Sequence, residues 1–185
     1  MTNVYTKFDG IIVISSYLEN YYRLHGMQTI KIPPVVNLQD EKWLVKSYKK
    51  NGKLRICYAG VPGNKDYIQN VILAINELDD YSKSNIEFHL YGPTVSQIEK
   101  CLGKNAGVLN NIKSIVFVHG KIPQTEVPGE IAKNDFSVLL RPDMRFAHAG
   151  FPTKFVESFA VGLPVIANNT SDISKYLING ETGIV

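Results

Sequence analysis

A chain of 185 residues that is 44% hydrophobic and 20% charged is long enough for one well-buried domain and short of the usual length for two. Its formal charge of +3 is mild, and the basic residues are scattered among acidic ones, which excludes the stripe or tail expected of a nucleic-acid binder. Two cysteines without a CxxC and four histidines without metal-ligand spacing imply no metal centre and no cofactor. The lack of any apolar run near the roughly 20 residues of a membrane span, and of a secretory signal, leads us to expect a soluble, cytoplasmic protein.

The first element is the strand GIIVIS, Gly10 to Ser15, followed by a helical SYLENYYRLHG. MQTIKIPPVVN then supplies a short strand stopped by Pro33-Pro34, and a polar, mostly charged stretch runs from Asn37 to Lys53. Residues 1–36 are therefore expected to be a hinge and linker, and residues 37–185 the domain proper. Within that domain, near-continuous apolar strands recur at LRICYAG (Leu54 to Gly60), IEFHLYG (Ile86 to Gly92), SIVFVHG (Ser114 to Gly120), FSVLLRP (Phe136 to Pro142) and LPVIAN (Leu163 to Asn168). Such strands suit a sheet covered on both faces.

Helical patterns separate the strands. The clearest begins near Lys65, with Tyr67, Ile68, Val71, Ile72, Ile75 and Leu78 on one face. Shorter ones are expected at about Thr94 to Cys101, Pro128 to Lys133 and Thr153 to Val161. Strict alternation of strand and helix predicts an α/β fold, a Rossmann-like parallel sheet with helices on both faces. Ligands bind such sheets outside the carboxyl ends of the strands. The loops to inspect are then 60–65, 92–94, 120–123 and 141–153.

In the loop Gly60-Val61-Pro62-Gly63-Asn64-Lys65, the glycines permit close backbone approach and the following helix N-terminus favours an anion. It is neither a Walker loop nor GxGxxG, so a plain turn with a solvated Lys65 stands beside the phosphate reading. The stretch HAGFPTKFVES, His148 to Ser158, makes a stronger case. With Thr153 as N-cap, the amides of Lys154, Phe155 and Val156 face the incoming loop, and Lys154 adds a full charge. Glu157 falls at the edge of the apolar arc, on the side of Thr153. It either accepts hydroxyl hydrogen bonds from a ribose or makes a surface i, i+3 pair with Lys154.

Arg141 closes a buried strand and so emerges at the ligand edge, where a functional reading is preferred. Asp143, Arg145 and His148 follow it in a loop that needs polar residues for solubility alone. No Gly-x-Ser-x-Gly elbow and no paired Cys and His appear, which sets hydrolase chemistry aside.

Taken together, YAGVPGNKDYIQNVILAI, FHLYGP, IVFVHGKIP and AGFPTKFVESFAVGLPVIANNTSDISKYLINGETGIV resemble the C-terminal half of retaining GT-B glycosyltransferases. Glycosyltransferase family 4 and its relatives in bacterial polysaccharide synthesis are the match. The resemblance implies half of a GT-B fold: a domain that binds the nucleotide-sugar donor, and an acceptor-binding N-terminal domain, absent here, of which FDGIIVISSYLENYYR looks like the exit. It also implies a glycan or lipid-linked acceptor, peripheral membrane association of the full-length enzyme, and little turnover by this half alone.

Carried over position by position, the resemblance places Gly60, Gly63, Asn64 and Lys65 beside the diphosphate, and Gly120, Lys121 and Ile122 beside the base. It has Gly150, Phe151, Pro152, Thr153 and Lys154 supplying phosphate contacts and Glu157 holding the ribose. Lys65, Arg141 and Glu157 are expected to be the catalytic residues, Arg141 by its place at the ligand edge rather than by the resemblance. No nucleophile or metal is required, because cations and amides stabilise the leaving diphosphate.

Two departures from the family pattern stand out. The family pairs two glutamates separated by seven residues, and Ala149 occupies the first position. Val61 replaces a common basic residue, and Arg141 stands where relatives carry a small one, so Arg141 is expected to make good the missing charge. A glycosyltransferase-like module that has lost catalysis and serves as a binding or scaffold subunit is the alternative that Ala149 favours.

Overall fold

The protein is described here by a computed structural model over residues 7–45, 52–63 and 65–185. Asn64 therefore lies outside the described residues. The chain opens with a small strand, helix, strand unit: β1 (Ile11–Val13), α1 (Ser16–Leu24) and β2 (Thr29–Lys31), with β1 and β2 paired in parallel. Ser15 caps α1, its hydroxyl accepting from the Leu18 amide at 3.3 Å.

The main sheet has six parallel strands. They are β3 (Leu54–Ala59), β4 (Ile86–Tyr91), β5 (Val116–Gly120), β6 (Phe136–Leu139), β7 (Val165–Ala167) and β8 (Gly183–Ile184), in the spatial order β5-β4-β3-β6-β7-β8. The five expected strands are present, each trimmed by a residue or more, and the two-residue β8 adds a sixth. The connecting helices are α2 (Ile68–Glu77), α3 (Asp80–Ser84), α4 (Val95–Leu102), α5 (Val108–Asn111), α6 (Val127–Ile131), α7 (Arg145–Ala149) and α8 (Thr153–Ala160). No described helix is long and apolar enough to cross a membrane.

Alternation of side chains along the strands sorts the core into two layers. Ile56 and Tyr58 of β3, Phe88 and Leu90 of β4, and Val138 of β6 pack with Ile68, Ile72 and Ile98 of α2 and α4. On the opposite face, Leu139, Val165 and Ala167 meet Phe151 and Phe155, while Cys57 and Tyr91 meet Ile131 of α6. A hydroxyl pair, Ser137 Oγ to Ser158 Oγ at 2.8 Å, ties α8 to β6 inside this second layer. The α2 helix begins three residues later than Lys65, because its apolar stripe starts to pack only at Ile68.

The N-terminal unit is held by polar contacts. Asp172, in the loop after β7, accepts from the Ser16 amide at 2.9 Å and pairs with Lys31 at 3.3 Å and Lys175 at 3.2 Å. Burial alone would raise the Asp172 carboxyl; the hydrogen bonds from Ser16, Lys175 and Lys31 outweigh it and hold the carboxyl below its ordinary range. Ser15 Oγ donates to the Ala149 carbonyl at 2.7 Å.

A stack of rings crosses β4 and β5. His89 lies over Phe117 at 5.0 Å and His119 at 5.2 Å, and His119 lies over Tyr91 at 4.5 Å. His89 Nε2 meets both Arg55 Nε and the Glu87 carboxylate at 3.3 Å, and His89 Nδ1 lies 3.0 Å from His119 Nε2. Burial, reinforced by the Arg55 guanidinium, pushes the His89 pKa below its ordinary 6.5. The unfolded chain then takes up this proton before the folded one does. Stability that is fully present above about pH 6.5 is expected to fall as the pH drops through and below that value. Thermal unfolding between about pH 7.5 and pH 5 checks this: the melting temperature should decline with falling pH, and His89→Gln should flatten that decline.

Candidate functional site

The strand order reverses between β3 and β6, since the chain runs outward from β3 to β5 and then crosses to β6 on the other side. A crevice at the carboxyl end of the sheet follows from that reversal, where loops from neighbouring strands diverge. The loop after β3 starts with Gly60, whose φ of +146° suits glycine. A Cβ at Gly92, which follows β4, would lie 2.8 Å from the Gly60 carbonyl oxygen, so the two loops meet backbone against backbone. Gly60 N–H donates to the Tyr91 carbonyl at 2.8 Å and Gly92 N–H to the Gly120 carbonyl at 2.7 Å, which stitches three strand ends together.

Above this seam opens a cavity of about 570 Å³. Gly60, Lys121, Ile122 and Glu157, all singled out in the sequence, line it together. Sequence reasoning missed Trp43 and Tyr91, which line it as well. Trp43 belongs to a 3-10 turn (Glu41–Trp43) of the polar stretch before β3; its ring is 8% exposed and packs toward α6. A lone tryptophan in a charged linker was the available signal.

A charged cluster flanks the cavity at the crevice itself. Asp66, 6% exposed, accepts from the Tyr58 hydroxyl at 2.8 Å and from Lys154 Nζ at 3.1 Å, and its other oxygen lies 3.6 Å from Arg141 Nε. Burial, followed by the charge of Asp66, pushes the Tyr58 hydroxyl pKa far upward, so Tyr58 remains a donor. The Lys154 ammonium also sits 5.3 Å from the Tyr58 ring centre. Lys154 runs directly over Gly60, where an added Cβ would come within 2.3 Å of its Cε. Asp66 was not a sequence candidate, because it lies inside the α2 approach next to the more conspicuous Lys65.

The choice left open for Glu157 is now decided against a pair with Lys154. Lys154 turns to Asp66, and Glu157 lines the cavity. Arg141 is buried; besides Asp66 its guanidinium approaches the Ala147 carbonyl at 3.5 Å, and Val61 is exposed.

Other candidates are placed differently. Lys65 is exposed and is not among the residues that line this cavity, and Gly63 borders a separate hollow with Asp66 and Tyr67. Gly120 contributes its carbonyl to the Gly92 amide. Gly150 uses its own amide on the Phe146 carbonyl at 3.1 Å. The expected N-cap at Thr153 is corrected: Pro152 is the N-cap of α8, and Thr153 is its first residue, without a side-chain capping bond. Pro152 has no N–H to offer, the Phe151 ring is buried against Phe155 and Tyr176, and the Phe155 amide already donates to the Pro152 carbonyl at 3.2 Å. Of the three amides expected to face the loop, Lys154, Phe155 and Val156, that of Phe155 is therefore already used. The expected continuous loop over 141–153 instead contains α7, whose last residue is Ala149. Among the described residues no group of three His, Cys, Asp or Glu side chains stands together as a metal site.

A family model described as "Glycosyl transferases group 1" matches residues 39–185. No curated protein matches the chain. Among solved structures, the chain is similar to the lipopolysaccharide outer core galactosyltransferase WaaB in its apo form, with 17% identity and a TM-score of 0.71 over 97% of this chain and 49% of that one. It is similar to Anabaena Alr3699/HepE in complex with UDP and glucose, with 12% identity and a TM-score of 0.69 over 95% of this chain and 48% of that one. It is also similar to WaaG, a glycosyltransferase involved in lipopolysaccharide biosynthesis, with 15% identity and a TM-score of 0.64 over 94% and 48%. At these identities the likeness establishes the fold, half of a GT-B architecture. The chain spans about half the length of these solved structures.

The contact of Lys154 with Gly60 gives a direct test of the crevice. Gly60→Ala must move Lys154 and also strain a positive φ, and should cost about 1–3 kcal/mol of stability. Adding Lys154→Ala should recover part of that loss in thermal or denaturant unfolding, since it removes the atom that the new methyl group meets.

Proposed function

The chain belongs to the group 1 glycosyl transferases, and from that premise we propose that it is the half of a retaining enzyme that binds the nucleotide-sugar donor. The observation that carries this reading is the cavity shared by Gly60, Lys121, Ile122 and Glu157, flanked by Lys154 and Arg141. Lys121 and Ile122 face the base, Glu157 accepts from the ribose hydroxyls, and the diphosphate lies over Gly60 against Lys154 and the amides at the start of α8. The donor is a hexose carried on a nucleoside diphosphate. Arg141 and Lys154 meet the charge of the departing diphosphate in place of a divalent ion. Lys65, exposed at the rim, reaches the diphosphate only by bending inward from the start of the α2 approach.

The acceptor is a glycan or a lipid-linked glycan of bacterial polysaccharide synthesis, held by a preceding domain in the cytoplasm at the membrane surface. Parallel strands are ordinarily covered on both faces. Ile12 and Ile30, adjacent across β1 and β2, are instead 69% and 65% exposed, which suits strands that such a domain would cover. This half alone binds donor and turns over little.

Ala149 supports a second reading, a module that binds nucleotide but has lost transfer. Its methyl group ends α7 where the family places a carboxylate against the transferred sugar, and its carbonyl is already taken by Ser15.

Calorimetry of the folded chain with UDP, GDP and ADP and their glucose conjugates tests the first reading. Binding of at least one is expected, with Glu157→Gln weakening it by about 1.5–3 kcal/mol through the lost charged acceptor. No binding by any of them to a folded chain overturns it. Transfer by the chain joined to its acceptor domain, with Ala149 in place, removes the second reading.

A further inference from the structure

Asp66 has no part in the donor-binding reading, yet it is the most deeply buried carboxylate at the crevice. Its side chain is 7% exposed, whereas the Lys154 side chain that it holds is 31% exposed. The ammonium thus keeps an open side above Gly60, with the carboxylate behind it. Arg141 Nε, 3.6 Å from the second Asp66 oxygen, is buried and has no hydrogen-bond partner. Both cations are drawn toward one anion, and the Arg141 nitrogen still lacks an acceptor within bonding distance. A buried polar group left in that state is costly unless something else completes it.

We propose that Asp66 is the resting counter-anion of the diphosphate site, holding Lys154 and Arg141 in place and competing with the incoming diphosphate for their charge. This rests on the reading that the donor's diphosphate lies over Gly60. Two like charges converging on one buried crevice repel each other when the site is empty, and one carboxylate offsets that repulsion. When a diphosphate arrives, the same carboxylate repels it from behind the cations. Asp66 therefore limits the affinity for any diphosphate, donor or product, and hastens departure of the nucleoside diphosphate left after transfer. The Tyr58 hydroxyl fixes the carboxylate so that it cannot swing away with the ligand.

The experiment is calorimetry with a diphosphate, monophosphate and nucleoside of the base selected by the panel above, UDP, UMP and uridine in the first instance. Asp66→Asn keeps the shape and removes the charge. It should tighten UDP by about tenfold, tighten UMP less, and leave uridine unchanged. Lys154→Gln should weaken UDP without changing uridine, and Asp66→Asn added to it should yield a smaller gain than in the parent, since the pair is coupled.

A merely structural Asp66 would lower the melting temperature and leave the ratio of UDP to uridine affinity where it was. Unchanged or weaker UDP binding by a folded Asp66→Asn protein overturns the proposal, as does an equal change for all three ligands. Should Asp66→Asn fail to fold, Asp66→Ser is read the same way. Should neither fold, Lys154→Gln alone decides: an unchanged ratio of UDP to uridine affinity overturns the proposal. A parent chain that binds none of the panel fails the donor-binding reading itself, whereas a parent that binds, with no gain on neutralising Asp66, fails only this inference.

Discussion

The carboxylate of Asp66 is the constraint around which the ligand edge of this protein is arranged. Its two oxygens collect a tyrosine hydroxyl from β3, an ammonium from α8 and a guanidinium from the end of β6. These are the elements that flank the reversal of strand order. The attraction of an ammonium to a buried carboxylate is screened less than that of an exposed i, i+3 pair on a helix surface, which is worth only a few tenths of a kcal/mol. That disparity decides the conformation of Lys154: it crosses the sheet end to Asp66 and leaves Glu157, one turn along its own helix, to the cavity.

Close backbone approach makes this arrangement possible. The Gly60 loop can pass beneath Lys154 only because Gly60 carries no Cβ, and the Gly92 loop can meet the Gly60 backbone only because Gly92 carries none. The two glycines bring the ends of β3 and β4 together while holding the cavity open between Trp43, Tyr91 and Glu157. A polar site is thereby set on a rigid sheet edge, with the loops free to carry the ligand contacts.

The sheet was legible because its strands are short apolar runs between turn residues, a pattern that backbone periodicity fixes locally. Helix α4 was legible to within a residue for a similar reason: Thr94 and Gln97 form a reciprocal cap that the chain spells out. Glu157, Lys154 and the Gly60 loop were also visible, since each stands where a strand feeds a helix. The N-cap of α8 was misassigned because Thr153 has the better capping side chain, while Pro152 has the extended backbone that the position requires. Helix α7 was hidden by its short length, by Pro142 before it and by Gly150 and Pro152 after it. Trp43 offered only its isolation in a charged stretch, and Asp66 offered nothing. Each acts through partners distant in sequence, Lys154 and Arg141 for Asp66 and α6 for Trp43, and no local pattern announces such pairings.

The charge inventory of the crevice gives Ala149 a further meaning. Arg141 and Lys154 bring two positive charges to the sheet edge, and Asp66 already offsets one of them from behind. Glu157 supplies the remaining carboxylate at the cavity wall. A second glutamate at position 149 would stand at the end of α7, where the helix C-terminus is itself partially negative, within the turn that leads to Lys154. The backbone carbonyl of residue 149 accepts the Ser15 hydroxyl, so the corner also anchors the N-terminal unit. The carboxylate that meets both cations of the crevice is Asp66, buried behind Lys154.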